Sequence, residues 1–203
     1  MIISQIFRTL ASLLSFWSFN EEISEKKDLY IRKIIQKQIS KIKIENKNLN
    51  KTHQKFNLEI SNLLKSRNLK NFLRKNFIQK MFFVHNRFFI LKELNILRKD
   101  KKWKFYQRII EEDNVGDPVR YFLYPKSSGN KINHAYHLSV LSSELNLDLR
   151  KVHKVFEFGG GYGCMARIFS KINNKISYIC FDTNYINLLQ YYYLSHEQIQ
   201  QKK

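Results

Sequence analysis

Isoleucines at positions 31, 35, 39 and 42 recur every three or four residues, with lysines between them. That period puts one apolar stripe on a charged helix, because residues three and four apart share a face. The same period joins Ile6, Leu10, Leu13, Leu14 and Trp17 near the N-terminus. The stretch IISQIFRTLASLLSFWSF therefore reads as an amphipathic helix packed on its own domain, with membrane-surface contact the lesser reading. It is too short for a membrane span and is broken by Gln5, Arg8 and Thr9. It also lacks the basic leader and small-residue cleavage site of a signal peptide. The polar run over 45–57 reads as a connection, and Leu58 to Leu97 as helix again. His85, in the aromatic run FFVHNRFFILKEL, reads as a packed or surface histidine, since no second ligand stands at helical spacing.

The texture changes between Glu111 and Asn133. EEDNVGDPVRYFLYPKSSGN holds both prolines of the chain and several turn formers, a loop-rich joint with a short strand at RYFLY. HAYHLSVLSSELNL follows as a helix capped within SSGNKIN, with His137, Leu138, Leu141 and Leu145 on its inner face. LRKVHKVFEF is β-prone and ends at glycines. GYGCMARIFSKI is a helix with Met165, Ile168, Phe169 and Ile172 inward. ISYICFD is apolar nearly throughout, as a strand covered on both faces should be. NYINLLQYYYLSHEQIQQ closes the series as a helix, with Tyr191 to Tyr193 packing it onto the sheet and one ring facing water. Strand, helix, strand, helix predicts parallel strands. The expected fold is α/β: a helical N-terminal region (1–110), a loop-rich joint and pre-motif helix (111–150), and the first βαβα portion of a Rossmann-like sheet (151–203).

Composition adds two constraints. Only six glycines occur, and four of them lie at Gly159, Gly160, Gly161 and Gly163. Two cysteines make neither a metal spacing nor a disulfide framework, so a reduced, cytoplasmic setting and no metal are expected. The formal charge of +19 attracts phosphates. Lysine is spread evenly, however, with no compact arginine–aromatic motif, which argues against a nucleic-acid surface. The joint richness in Lys, Asn, Ile and Phe is that of proteins from AT-rich genomes.

A glycine turn between strand and helix lets a ligand approach the backbone and meet the free N–H groups of the helix start. A carboxylate ending the next strand, here Asp182, can accept from ribose hydroxyls. Gly161 to Ala166 fits the dinucleotide pattern GxGxxA. Glu157 to Gly163 fits acid-x-Gly-x-Gly-x-Gly, motif I of S-adenosylmethionine-dependent methyltransferases. The acid decides between them: it suits a cofactor carrying an ammonium and a sulfonium, and it would repel a pyrophosphate.

Across its second half the chain is similar to a family of sugar O-methyltransferases. The resemblance rests on Glu157 to Arg167 (EFGGGYGCMAR), on the strand ending at Asp182, and on Leu189-Gln190-Tyr191-Tyr192-Tyr193-Leu194. It implies S-adenosylmethionine as cofactor and a sugar or glycan acceptor. Glu157, Gly159, Gly161, Tyr162 and Gly163 would line the donor, Asp182 would hold the ribose, and Thr183 with Asn184 would flank the adenine. Arg167 is expected to pair with an acid. His134 and His137, three residues apart on one helix face, are the candidate bases, with packing or surface roles the more economical reading for each. The family sheet is larger than the two strands present here. The expectation is a C-terminally truncated member, weak or inactive alone unless another chain completes the sheet. Two other readings compete: a basic nucleic-acid-binding or RNA methyltransferase relative, and a helical remnant that binds nothing.

Overall fold

The computed structural model describes residues 24–42, 51–82 and 88–196. The expected N-terminal helix around Ile6 to Trp17 and the candidate His85 lie outside them. The described chain is mixed α/β, mostly helical, with two small sheets.

Helix α1 (Glu25–Ile39) buries Ile31 and Ile35, and Ile39 and Ile42 pack partly buried beside them, so the isoleucine stripe is the inner face. Helix α2 (Lys51–Lys65) begins inside the run expected to be a connection. The reason is a second stripe, Phe56, Ile60, Leu63 and Leu64, which the surrounding polar residues mask in the sequence; the last three are buried. The helical stretch expected over 58–97 is helical in pieces, with α2 running to Lys65. A 3-10 segment (Arg67–Arg74), α3 (Asn76–Phe82) and α4 (Phe88–Lys99) follow. Ser66 ends α2 by donating its hydroxyl to the Leu63 carbonyl. The Arg32 guanidinium donates to the Ser66 carbonyl, and Leu73 N–H donates to the Gly116 carbonyl, so tertiary partners hold the break open. Leu69, Phe72 and Leu73 thereby enter the core together.

Helix α5 (Trp103–Ile110) leads into a hairpin of β1 (Arg120–Tyr121) and β2 (Tyr124–Ser128), antiparallel, where one short strand was expected. Helix α6 (Gly129–Glu144) starts where the capping residues predict: Ser128 Oγ accepts from Lys131 N–H at 3.3 Å. Its inner face differs from the expected one. Ile132, Ala135, Leu138 and Ser142 are buried, whereas Leu141 and Leu145 are 45% and 64% exposed. The buried face begins at Asn130 and Lys131, which meet polar partners, and runs on through Ile132, Ala135 and Leu138, leaving Leu141 and Leu145 outside.

Strand β3 (Lys154–Phe158), helix α7 (Cys164–Ile172), strand β4 (Ser177–Phe181) and helix α8 (Asn184–Ser195) follow in the predicted order. The strands are parallel, paired from Lys154↔Ser177 to Phe158↔Phe181. Ile168, Phe169 and Ile172 of α7 are buried and Met165 partly so, as the period predicts. One sheet face, carrying Val155, Glu157, Tyr178 and Cys180, turns inward. The other departs from the doubly covered strand: Phe156, Phe158, Ile179 and Phe181 are 54–78% exposed among the described residues. Phe158 and Phe181 stack on that face at 5.3 Å.

Two cores form among the described residues, and both join residues from before and after position 110. In one, α1, α2, the 3-10 segment and α3 pack against Tyr162, Cys164 and the inner face of α8. Tyr192 and Tyr193 meet the Phe72 ring edge-on there, at 6.2 and 5.9 Å, so they dock α8 on the N-terminal helices and not on the sheet; Tyr191 faces water. Tyr192 also donates to the buried Asp28 at 2.6 Å. The second core gathers α4, α5, the hairpin, α6 and α7. No helix among the described residues is long and apolar enough to cross a membrane.

Candidate functional site

The glycine turn sits on a buried charged support. Arg167, on α7, is wholly buried. Its guanidinium pairs with Asp113 at 2.5 Å, donates to the Tyr193 carbonyl and lies 3.8 Å from the centre of the Tyr193 ring. The expected acid partner is thus Asp113, from the loop-rich joint. Lys131, wholly buried on α6, pairs with Glu112 at 2.9 Å and Asp113 at 3.6 Å and donates to the Glu111 carbonyl. Burial would lower the ammonium's pKa, but the Glu112 and Asp113 carboxylates outweigh it and the pKa rises. Residues 111–113 therefore clamp α6 to α7, and α7 carries the turn.

The turn continues β3 without a break. Gly159 N–H donates to the Phe181 carbonyl at 2.8 Å, extending the ladder by one residue. Gly159, Gly161 and Gly163 have φ of 78°, 56° and 95°, the left-handed region that excludes most side chains. Two close approaches add to that demand. A Cβ at Gly160 would lie 2.6 Å from a Glu157 oxygen, and one at Gly161 would lie 2.9 Å from the Phe82 ring. Gly163 is the residue just before α7.

Asp182, past the end of β4, closes the turn. One carboxylate oxygen accepts from Gly161 N–H at 3.1 Å and the other from Thr183 N–H at 2.7 Å. Gln190 of α8 donates to the Gly161 carbonyl at 2.8 Å, which gives the glutamine of the YYL-containing run a definite task. Glu157 ends β3 on the inner face, where its Oε2 accepts from Tyr178 at 2.8 Å and from the Cys180 thiol at 3.4 Å. Burial and that carboxylate raise the Tyr178 pKa strongly and push Cys180 up to about 12, so both keep their protons for Glu157. Cys164 is likewise held as a thiol, up to about 12, chiefly by burial.

Glu157, Gly159, Gly161, Gly163 and Asp182 are thus gathered at one end of the parallel pair, with Thr183 exposed beside them. Tyr162 belongs to the support. Its ring is buried between Phe72, Phe82 and Tyr193, and its hydroxyl accepts from Asn130 at 3.1 Å. Asn130 also donates to the Phe82 carbonyl. The sequence did not single out Phe82, Asn130, Glu112, Asp113 or Lys131. The signal available was EED at the start of the joint and a lysine in the first turn of the helix that ends it, with the acids read only as loop.

His134 and His137 are not joined to the turn by any hydrogen bond among the described residues. They lie on α6, which packs against α4, where Asn133 donates to Glu93. His137 is exposed and its ring meets Tyr136. Burial, with a smaller push from His137, lowers the His134 pKa to about 4. An NMR pH titration should show the His134 ring neutral down to about pH 5; a midpoint near 6.5, the free value, would contradict this packing. Among the described residues no group of three or more His, Cys, Asp or Glu is placed to hold a metal ion. No protein-family model matches this chain, and no curated protein or solved structure is detectably similar to it.

Proposed function

We propose that residues 151–203 carry the donor-binding turn of an S-adenosylmethionine-dependent O-methyltransferase of Rossmann-like architecture, with a sugar hydroxyl as acceptor. The observation that carries this reading is the pairing of two strand-end carboxylates around one glycine turn. Asp182 holds Gly161 N–H, while Glu157 stands at the end of the adjacent strand. Each Asp182 oxygen keeps a lone pair free for a ribose hydroxyl. Glu157 has used only Oε2 among the described residues, which leaves Oε1 for an ammonium. A side chain at Gly159 would meet nothing within 4 Å, so the backbone there is open to a ligand. Two carboxylates, neither ion-paired among the described residues, favour a cationic donor over a dinucleotide pyrophosphate. When bound, the cofactor would supply an electrophilic methyl group. The chain's own part is to hold its ammonium and ribose and to fix the turn from beneath through Tyr162, Gln190 and Arg167.

Isothermal titration should give binding heat with S-adenosylmethionine and none with NAD. Asp182→Ala should weaken the former at least tenfold, about 1.4 kcal/mol. The far-UV circular dichroism should be unchanged. Heat from NAD alone, or equal affinity in the variant, would overturn the assignment.

A further inference from the structure

The geometry points to a second ligand site, unrelated to the glycine turn, that takes the phosphate group of a small phosphate monoester. A cavity of about 230 Å³ lies between α5 and β2, lined by Lys104, Gln107, Arg108, Glu111, Tyr124 and Lys126. Lys104, Gln107 and Arg108 of α5 stand at steps of three and one, so they share one face of the helix, and Glu111 follows just past its end. Lys126 and Tyr124 come from the opposing strand.

Three cations converge here against one carboxylate. None of the three side chains has an ion pair or hydrogen bond among the described residues, and neither has the Glu111 carboxylate. Elsewhere in this chain the cations brought together do find partners, as Lys131 and Arg167 show. Unpaired like charges repel, and an anion that neutralises them relieves that repulsion. Planar and ammonium donors together match a phosphate's oxygens.

The cavity is framed by fixed elements. Ser127 donates to the Ile110 carbonyl at 2.6 Å, and Glu112 N–H donates to the Lys126 carbonyl at 2.8 Å, so β2 is fastened along the end of α5. Tyr124 is held by Trp103, with ring centres 6.3 Å apart, and by the Arg98 guanidinium 5.2 Å from its ring centre. A helix C-terminus would ordinarily repel an anion. Here Ser127 occupies the Ile110 carbonyl, and the Lys131 and Lys171 ammoniums occupy that of Glu111. These donors offset part of the negative end of the helix. The volume is below that of drug-sized pockets, which suits a phosphate with a short organic body. Gln107, Glu111 and the Tyr124 ring offer polar contacts and a flat wall to that body.

The test is titration calorimetry of the full chain at low ionic strength with ribose 5-phosphate, inorganic phosphate and ribose. Ribose 5-phosphate should bind, and ribose should give no heat. Lys104→Ala combined with Arg108→Ala should weaken the ester at least about tenfold. All three lining cations are exposed, so the double variant should fold normally, checked by its thermal midpoint. Lys101→Ala, an exposed lysine outside the cavity, should bind as the parent does. Equal weakening in the Lys101 and cavity variants would show general attraction to a basic surface and overturn the inference. So would an absence of heat with the ester, or binding of inorganic phosphate without the ester. Donor binding at the glycine turn is scored separately by Asp182→Ala, so the two assignments stand or fall independently.

Discussion

Replacing Lys131 by methionine should lower the unfolding free energy by about 3–5 kcal/mol, the cost of leaving a buried charge without its partner. Methionine keeps most of the volume but removes the ammonium. Glu112, whose side chain is 2% exposed, then loses its ion-pair partner, and the Glu111 carbonyl loses a donor. Asp113 is less affected, because Arg167 still holds it. Adding Glu112→Gln to Lys131→Met should recover part of the loss, since the orphaned charge is then removed. Urea unfolding followed by circular dichroism measures both, and a single-variant cost under about 1 kcal/mol would show that the cluster does not hold α6 to α7. The pH profile carries the same signature. Burial raises the Asp113 pKa, but the Lys131 and Arg167 charges outweigh it and the folded value lies below the unfolded one. Its stabilisation is complete above about pH 4 and is lost as pH falls through the lower folded value. Lys131 has the opposite sign: its stabilisation is complete below about pH 10 and is lost as pH rises through its higher folded value. The methionine variant should lose that alkaline dependence.

The same cluster shows where the sequence was readable. Period alone located α1 and α7, because Ile31–Ile35 and Ile168–Phe169–Ile172 bury what they display, and the order of β-prone and helical segments gave the parallel strands. The turn was legible too: glycines are scarce elsewhere, and a backbone with φ of 56° and 95° at Gly161 and Gly163 needs them. Polar burial defeated the reading. Lys131 and Asn130 are buried on α6 while Leu141 and Leu145 face outward, although a hydrophobic count places the leucines inside. No local rule says that a lysine in a first turn will meet carboxylates about twenty residues earlier. Likewise the break after α2 depends on Arg32 reaching the Ser66 carbonyl, a contact between distant segments. The role of Tyr162 was hidden for the same reason. Its neighbours Phe72 and Phe82 come from the N-terminal helices, which carry no motif but pack against the motif's inner side.

Gly161→Ala should cost about 2–4 kcal/mol, and Gly159→Ala only the smaller part of that. Both residues have positive φ, so both substitutions carry the left-handed penalty of an L-residue, about 1–2 kcal/mol. They differ in surroundings. A Cβ at Gly159 meets nothing within 4 Å, whereas one at Gly161 comes within 2.9 Å of Phe82 Cδ1. The ring cannot retreat freely, because it packs edge-on against Tyr162 and its carbonyl is held by Asn130. The difference between the two alanine variants therefore measures the contact with Phe82. Phe82→Ala in the Gly161→Ala background should remove that part and leave the conformational part. The pair should be less destabilised than the sum of the single variants by about 1 kcal/mol. Additive losses would mean that the ring is not the obstacle. Because Gly161 N–H is also the donor to Asp182, Gly161→Ala should weaken S-adenosylmethionine binding more than Gly159→Ala does, by displacing the carboxylate proposed to hold the ribose. Calorimetry on the two variants and the rescued double decides whether the N-terminal helices, through Phe82, shape the donor turn or merely cover it.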